Sequence, residues 1–217
     1  MYVIIDVMKY LNLILLISLF VVCFSMAFAS GNFPPNGKKC EVAGKLIYVD
    51  KRPTTNLDWR EMLWAFKNNP EIFVGSVSEN IVDSTVWKRV YGERWCAPWA
   101  KASQKKIMMT YEEMEHSPVV GFSLKQCRNF MDFRATAVMY TYNNYSKSKR
   151  YKGAKLEYFL LSSEQYADLL KQKWFVKSFV DGYAEITSDV KFVKDGKIVD
   201  SVDDGKVTFR MYTVITE

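Results

Sequence analysis

Residues equipped for chemistry are few and scattered in this chain. A single histidine, His116, stands in a connection beside Pro118. A Ser-His-Asp assembly would need it as the base, whereas a lone histidine in a turn is more commonly a surface residue. No G-x-S-x-G, Gly-rich phosphate loop, H-E-x-x-H or C-x-x-C occurs. The acid pairs Glu112-Glu113 and Asp203-Asp204 are adjacent in sequence. On a strand such neighbours point to opposite faces and make poor acid/base partners. More suggestive are the 6 tryptophans, 13 tyrosines and 14 phenylalanines. Aromatic rings fill cores first of all, but their faces also attract cations. An acid set in such a wall marks a ligand pocket, because a buried carboxylate is costly without a positive partner. Asp83, four residues before Trp87, and Asp132, beside the apolar run 133–142, are the two acids placed this way. The plainer alternative for each is a turn acid facing water.

The elements that must position these residues are legible as patterns. Thr55 and Asp58 have capping-box spacing, Trp59, Leu63 and Phe66 follow at i, i+4 and i+7, and Asn68-Asn69-Pro70 ends the run. This predicts a helix. Beyond it, 71–78, 105–114, 118–126, 133–142 and 154–162 are short, rich in β-branched or aromatic residues and separated by turn residues. They read as strands of an antiparallel barrel or sandwich. Ser163 caps a predicted helix within 163–180, carrying Tyr166, Leu169, Leu170 and Trp174, with Gly182 as its stop. Three more strands, 183–194, 197–203 and 206–216, are punctuated by Asp195-Gly196 and Asp204-Gly205 as tight hairpin turns.

The N-terminus reads as an export signal. Lys9 precedes the apolar residues 11–29, and Ala27-Phe28-Ala29 precedes Ser30 as an A-x-A cleavage site. A transmembrane anchor is the other reading of that stretch. Cleavage leaves about 188 residues, enough for one domain. Residues 30–53 are Gly/Pro/Lys-rich at first and read as a loosely held arm, and 54–217 as a single domain. The expected protein is secreted, extracellular and monomeric, with no membrane association after cleavage. Apolar residues make up 49% of the chain, which excludes a disordered tail-like protein. The net charge of +6 is spread over 38–39, 105–106 and 147–150, with no nucleic-acid motif. That implies a solvated surface weakly attractive to acidic partners. With Cys23 in the signal, two of Cys40, Cys96 and Cys127 are expected to pair in an oxidising compartment, in any of three ways. Asn144-Tyr145-Ser146 is a glycosylation sequon.

One order of residues resembles a known family. A helix bearing a tryptophan leads to a strand, then Asp83-x-x-x-Trp87, then Cys96, then the run T-A-V-M-Y-T-Y-N at 136–143, then Arg150-Tyr151 and a glycine. Between residues 59 and 168 this resembles the tick salivary lipocalins, in particular the histamine-binding group. The resemblance implies a mainly β fold, an eight-stranded antiparallel barrel with a ligand cavity, an N-terminal helix and a helix near 163–180. It implies a binding protein, not an enzyme, that sequesters a host mediator without a cofactor, metal or nucleic-acid partner. Carried over by position, the amine-binding acids fall on Asp83, Asp132 and Asp168, and the aromatics on Trp87 and Tyr151. The residue pattern by itself puts Asp168 on a helix instead. The family's late cysteines have no counterpart after Cys127. A cavity without its acids would suit a fatty acid or eicosanoid, with Arg134 or Lys155 meeting its carboxylate. The alternative function is a secreted protein-binding module, of protease-inhibitor or adhesion type, acting through an exposed strand edge or loop.

Overall fold

The computed structural model describes residues 33–92, 114–202 and 205–216. It opens with β1 (Gly37–Val42), β2 (Lys45–Asp50), α1 (Asn56–Asn68), α2 (Ser84–Tyr91) and α3 (Leu124–Tyr145). Then come β3 (Lys155–Leu160), α4 (Ser163–Leu169), α5 (Lys173–Val176) and β4 (Ala184–Ile186). The chain ends with β5 (Phe192–Lys194), β6 (Lys197–Val199), β7 (Val207–Thr208) and β8 (Met211–Thr216).

α1 forms as its sequence predicts. The Thr55 hydroxyl accepts from the Asp58 N–H, and the Asp58 carboxylate accepts from the Thr55 N–H, so two orphan donors are satisfied at once. Trp59, Met62, Leu63, Ala65 and Phe66 form its buried face. Pro70 lacks an N–H and restricts Asn69, which ends the helix.

The strands form two four-stranded sheets, ordered β1-β2-β8-β3 and β6-β5-β4-β7. The first is antiparallel throughout, while β4 and β7 pair in parallel in the second. Period-two alternation divides the first sheet between two cores. Leu156, Tyr158 and Met211 face the larger core, with α1, α2 and α3. Val42, Ile47 and Val49 face the smaller one, with Tyr166, Leu169, Phe175 and Val193. Arg210, fully buried, pins the sheets together. It contacts both Glu185 oxygens, at 2.6 and 3.0 Å, and donates to Ser178. The rings of Phe175 and Phe179 pack on its guanidinium, and the Tyr166 hydroxyl donates to the same carboxylate at 2.7 Å.

This architecture corrects the expectation of an eight-stranded barrel. Among the described residues neither sheet closes on itself. The run 133–142 lies inside α3, residues 71–78 form turns leading into a 3₁₀ turn (Ser78–Asn80), and 118–126 is irregular until α3 begins. The physical reason is packing. Cys127, Phe130, Met131, Ala137, Val138 and Thr141 are buried at helical spacing, and a Ser123–Gln126 capping box starts the helix. That periodicity overrides the β-propensity of the T-A-V-M-Y-T-Y run. Strand 105–114 falls largely outside the described residues. Residues 37–50, expected in a loose arm, form the β1–β2 hairpin, turned by Ala43 and Gly44, both at positive φ. The helix expected within 163–180 is broken into α4 and α5, with Ser162 rather than Ser163 as its cap. Asp195 and Gly196 do turn a hairpin, β5–β6. Asp204 of the expected Asp204-Gly205 turn lies outside the described residues, and the strands on either side of it do not form a hairpin, β6 pairing with β5 and β7 running parallel to β4. No described helix is long and apolar enough to cross a membrane.

Candidate functional site

α1 and α3 pack against each other and leave a cavity of about 240 Å³ between them. Its apolar wall includes Leu57 from α1 and Phe130, Phe133 and Val138 from α3. Pro35 and Asn36 border it beside the sheet. The polar lining is Arg52, Asp58, Glu61 and Arg134.

Four of the surrounding charges cancel in two close pairs. Arg52 grips Asp58 with Nη1–Oδ2 at 2.5 Å and Nη2–Oδ1 at 3.0 Å. Burial works against ionised Asp58, but the Arg52 hydrogen bonds and charge hold its carboxyl below the usual value. Arg134 holds Asp50 the same way, at 2.8 and 3.2 Å, and donates also to the Pro35 carbonyl. Asp50 is 1% exposed. Burial, only partly offset by Arg134, raises its carboxyl to about 6. These bidentate contacts fix both arginine forks in place.

Glu61 is the charge left over. It forms neither a hydrogen bond nor an ion pair with any described residue. Burial, reinforced by the neighbouring Asp58 charge, raises its carboxyl to about 7. It is half-buried at the rim of the α1 core face, one turn beyond Asp58. A half-ionised carboxyl among aromatic rings can exchange a proton near neutrality or accept a cation.

The five residues expected to bind ligand lie elsewhere. Asp83 is exposed and caps α2, accepting from the N–H and hydroxyl of Thr85, which holds its carboxyl below the usual range. Trp87 is on the same helix but in the core, its indole N–H donating to the Val120 carbonyl at 3.1 Å. Asp132 is exposed on α3, bordering a groove beside β3. Tyr151 lies in the α3–β3 connection, stacked on Phe33 with centroids 4.7 Å apart and near Tyr142. Asp168 is on α4, as the residue pattern says, and accepts from Lys171 and the Ala43 N–H. The residues are thus distributed over α2, the outer face of α3, a turn and α4.

The two bases considered for a carboxylate ligand are both engaged, Arg134 by Asp50 and Lys155 by Glu157 at 2.8 Å. His116 is exposed beside Glu115. Cys40 and Cys127 both carry free thiols, so they do not pair with each other, and Cys96 lies outside the described residues. Burial pushes the Cys127 thiol well up. Among the described residues no His/Cys/Asp/Glu group is placed to hold a metal.

Glu61 escaped sequence reasoning, which used Asp58 only as a cap. The available signal was the i, i+3 spacing of Asp58 and Glu61 along the edge of the apolar stripe. No family model matches the chain, and neither a curated protein nor a solved structure gives a match.

Proposed function

We propose that the protein is a secreted binding protein that captures a small organic cation, of the biogenic-amine class, in the cavity between α1 and α3. The observation that carries this reading is Glu61, a carboxyl with no hydrogen-bond or ion-pair partner among the described residues, in a cavity where Arg52 is paired with Asp58 and Arg134 with Asp50. An ammonium group would pair with it, and the phenyl faces of Phe130 and Phe133 would attract the same cation. The cavity is smaller than the roughly 300–1,000 Å³ of drug-sized sites, which suits a molecule of histamine's or serotonin's size. The engagement of Arg134 and Lys155 argues against a fatty acid. Secretion rests on the N-terminal apolar run and its A-x-A site. The ligand class is the one implied by the lipocalin resemblance, but the site is not a barrel interior.

Native mass spectrometry at pH 7.5 with histamine, serotonin and a long-chain fatty acid tests the reading. A one-to-one amine adduct is expected, lost in Glu61→Gln and kept in Asp83→Asn. An amine adduct indifferent to Glu61→Gln, or a fatty-acid adduct alone, would overturn it.

A further inference from the structure

β3 is an edge strand. Among the described residues it pairs only with β8, so the backbone groups on its other side have no strand partner. Just beyond it, the Leu161 carbonyl is taken by the Ser188 N–H at 2.9 Å. Along this edge runs an open groove of about 460 Å³, bordered by α3. Phe159 and Tyr212 form an aromatic platform there, stacked at 5.3 Å, with Phe159 40% exposed. Arg128 and Asp132 line the groove from α3, and neither side chain has a hydrogen-bond or ion-pair partner among the described residues.

The spacing of these two charges matches an extended chain. Arg128 and Asp132 are one turn apart, about 6 Å along the helix axis. Alternate side chains on one face of a strand recur at about 6.6 Å. α3 and β3 run in opposite senses, since Arg134 stacks on Tyr158 while Tyr142, further along α3, meets the Tyr151 N–H before β3 begins. A strand added antiparallel to β3, the more stable pairing, therefore runs in the same sense as α3. It passes Arg128 first and Asp132 second.

We infer that the β3 edge and α3 together form a docking groove for an extended peptide of another protein, reading acidic–apolar–basic in chain order. The acid meets Arg128, the base meets Asp132, and the apolar residue between them turns to the Phe159–Tyr212 platform. Main-chain hydrogen bonds to β3 supply the attachment and the two charges supply direction and selectivity. A second copy of this chain fits less well. In an antiparallel β3–β3 pairing, Leu156, Tyr158 and Leu160 would lie on the α3 side and offer no charge to Arg128 or Asp132. The groove is distinct from the α1–α3 cavity, and the inference does not rest on amine capture.

The test is fluorescence anisotropy of the full chain with a labelled Ser-Glu-Phe-Lys-Val amide at low salt. Saturable binding is expected, about tenfold tighter than for Ser-Lys-Phe-Glu-Val, the swap turning two rim attractions into repulsions. The double variant Arg128→Glu/Asp132→Lys should invert that preference. N-methylation of one of the two alternating sets of peptide nitrogens should abolish binding. Equal affinity for both charge orders, full affinity of both methylated peptides, or absence of binding would overturn the proposal. So would a chain dimer that buries β3 and excludes the peptide.

Discussion

Replacing Glu61 by Gln keeps the shape of the side chain and removes its ionisation, so the variant isolates the cost of a buried charge. The unfolded chain releases this proton near 4.5, the folded chain only near 7. Between those values the folded protein holds more protons than the unfolded one. Stability is therefore whole below about 4.5 and is lost as pH rises through about 7. The full shift of about 2.5 units corresponds to about 3.4 kcal/mol. Partial exposure of the carboxyl and screening reduce this to roughly 2 kcal/mol. Parent and variant should be equally stable at pH 4.5, and the variant more stable by that amount at pH 8. With a urea slope of about 2 kcal/mol per molar, the midpoints should separate by roughly 1 M. Asp50 also titrates in this window, toward about 6, but does so in both proteins and cancels in the difference. Urea unfolding followed by tryptophan fluorescence at pH 4.5, 6, 7 and 8 reads the separation directly. A gap independent of pH would refute the reasoning, because the effect would then lie in amide packing and not in charge desolvation.

Two further expectations concern stability. Arg210→Met should cost about 3–5 kcal/mol by leaving Glu185 buried without its cation, and Arg210→Met/Glu185→Leu should recover most of it. A loss under about 1 kcal/mol in urea unfolding would show that water reaches Glu185. Gly121→Ala should destabilise more than Gly153→Ala. Both sit at positive φ, which costs a side chain roughly 1–2 kcal/mol. Only at Gly121 would the new Cβ lie 2.9 Å from a backbone oxygen, that of Asp83, whereas at Gly153 nothing lies within 4 Å. Thermal melts of the two variants decide this, and equal melting temperatures would count against it.

How much was legible differs from element to element. α1 was readable because its capping box and apolar period lie within fifteen residues. β3 and the Asp195-Gly196 turn were readable for the same reason. The 133–142 run was not, because its residue types favour strands while its burial follows a helix that begins at Leu124, capped by Ser123 ten residues earlier. That misreading hid the cavity as well. Without α3 beside α1, Glu61 has no apolar wall and no reason to hold its proton. Asp83 and Trp87 were expected to line one pocket, but Asp83 is the N-cap of α2, its carboxylate held by the Thr85 N–H at the exposed helix end, while Trp87 on the following turn reaches the core.

The sequence by itself determined those pieces whose causes are local: caps, tight turns and short amphipathic runs. Only the tertiary structure decided the pairing of β2 with β8, where Tyr48 meets Thr213, and of β3 with β8 at the edge of the sheet. It also decided the pairing of Asp50 with Arg134, and that Glu61 has no hydrogen-bond or ion-pair partner among the described residues. These depend on which surfaces exclude water from which charges, and desolvation is set by neighbours far away along the chain.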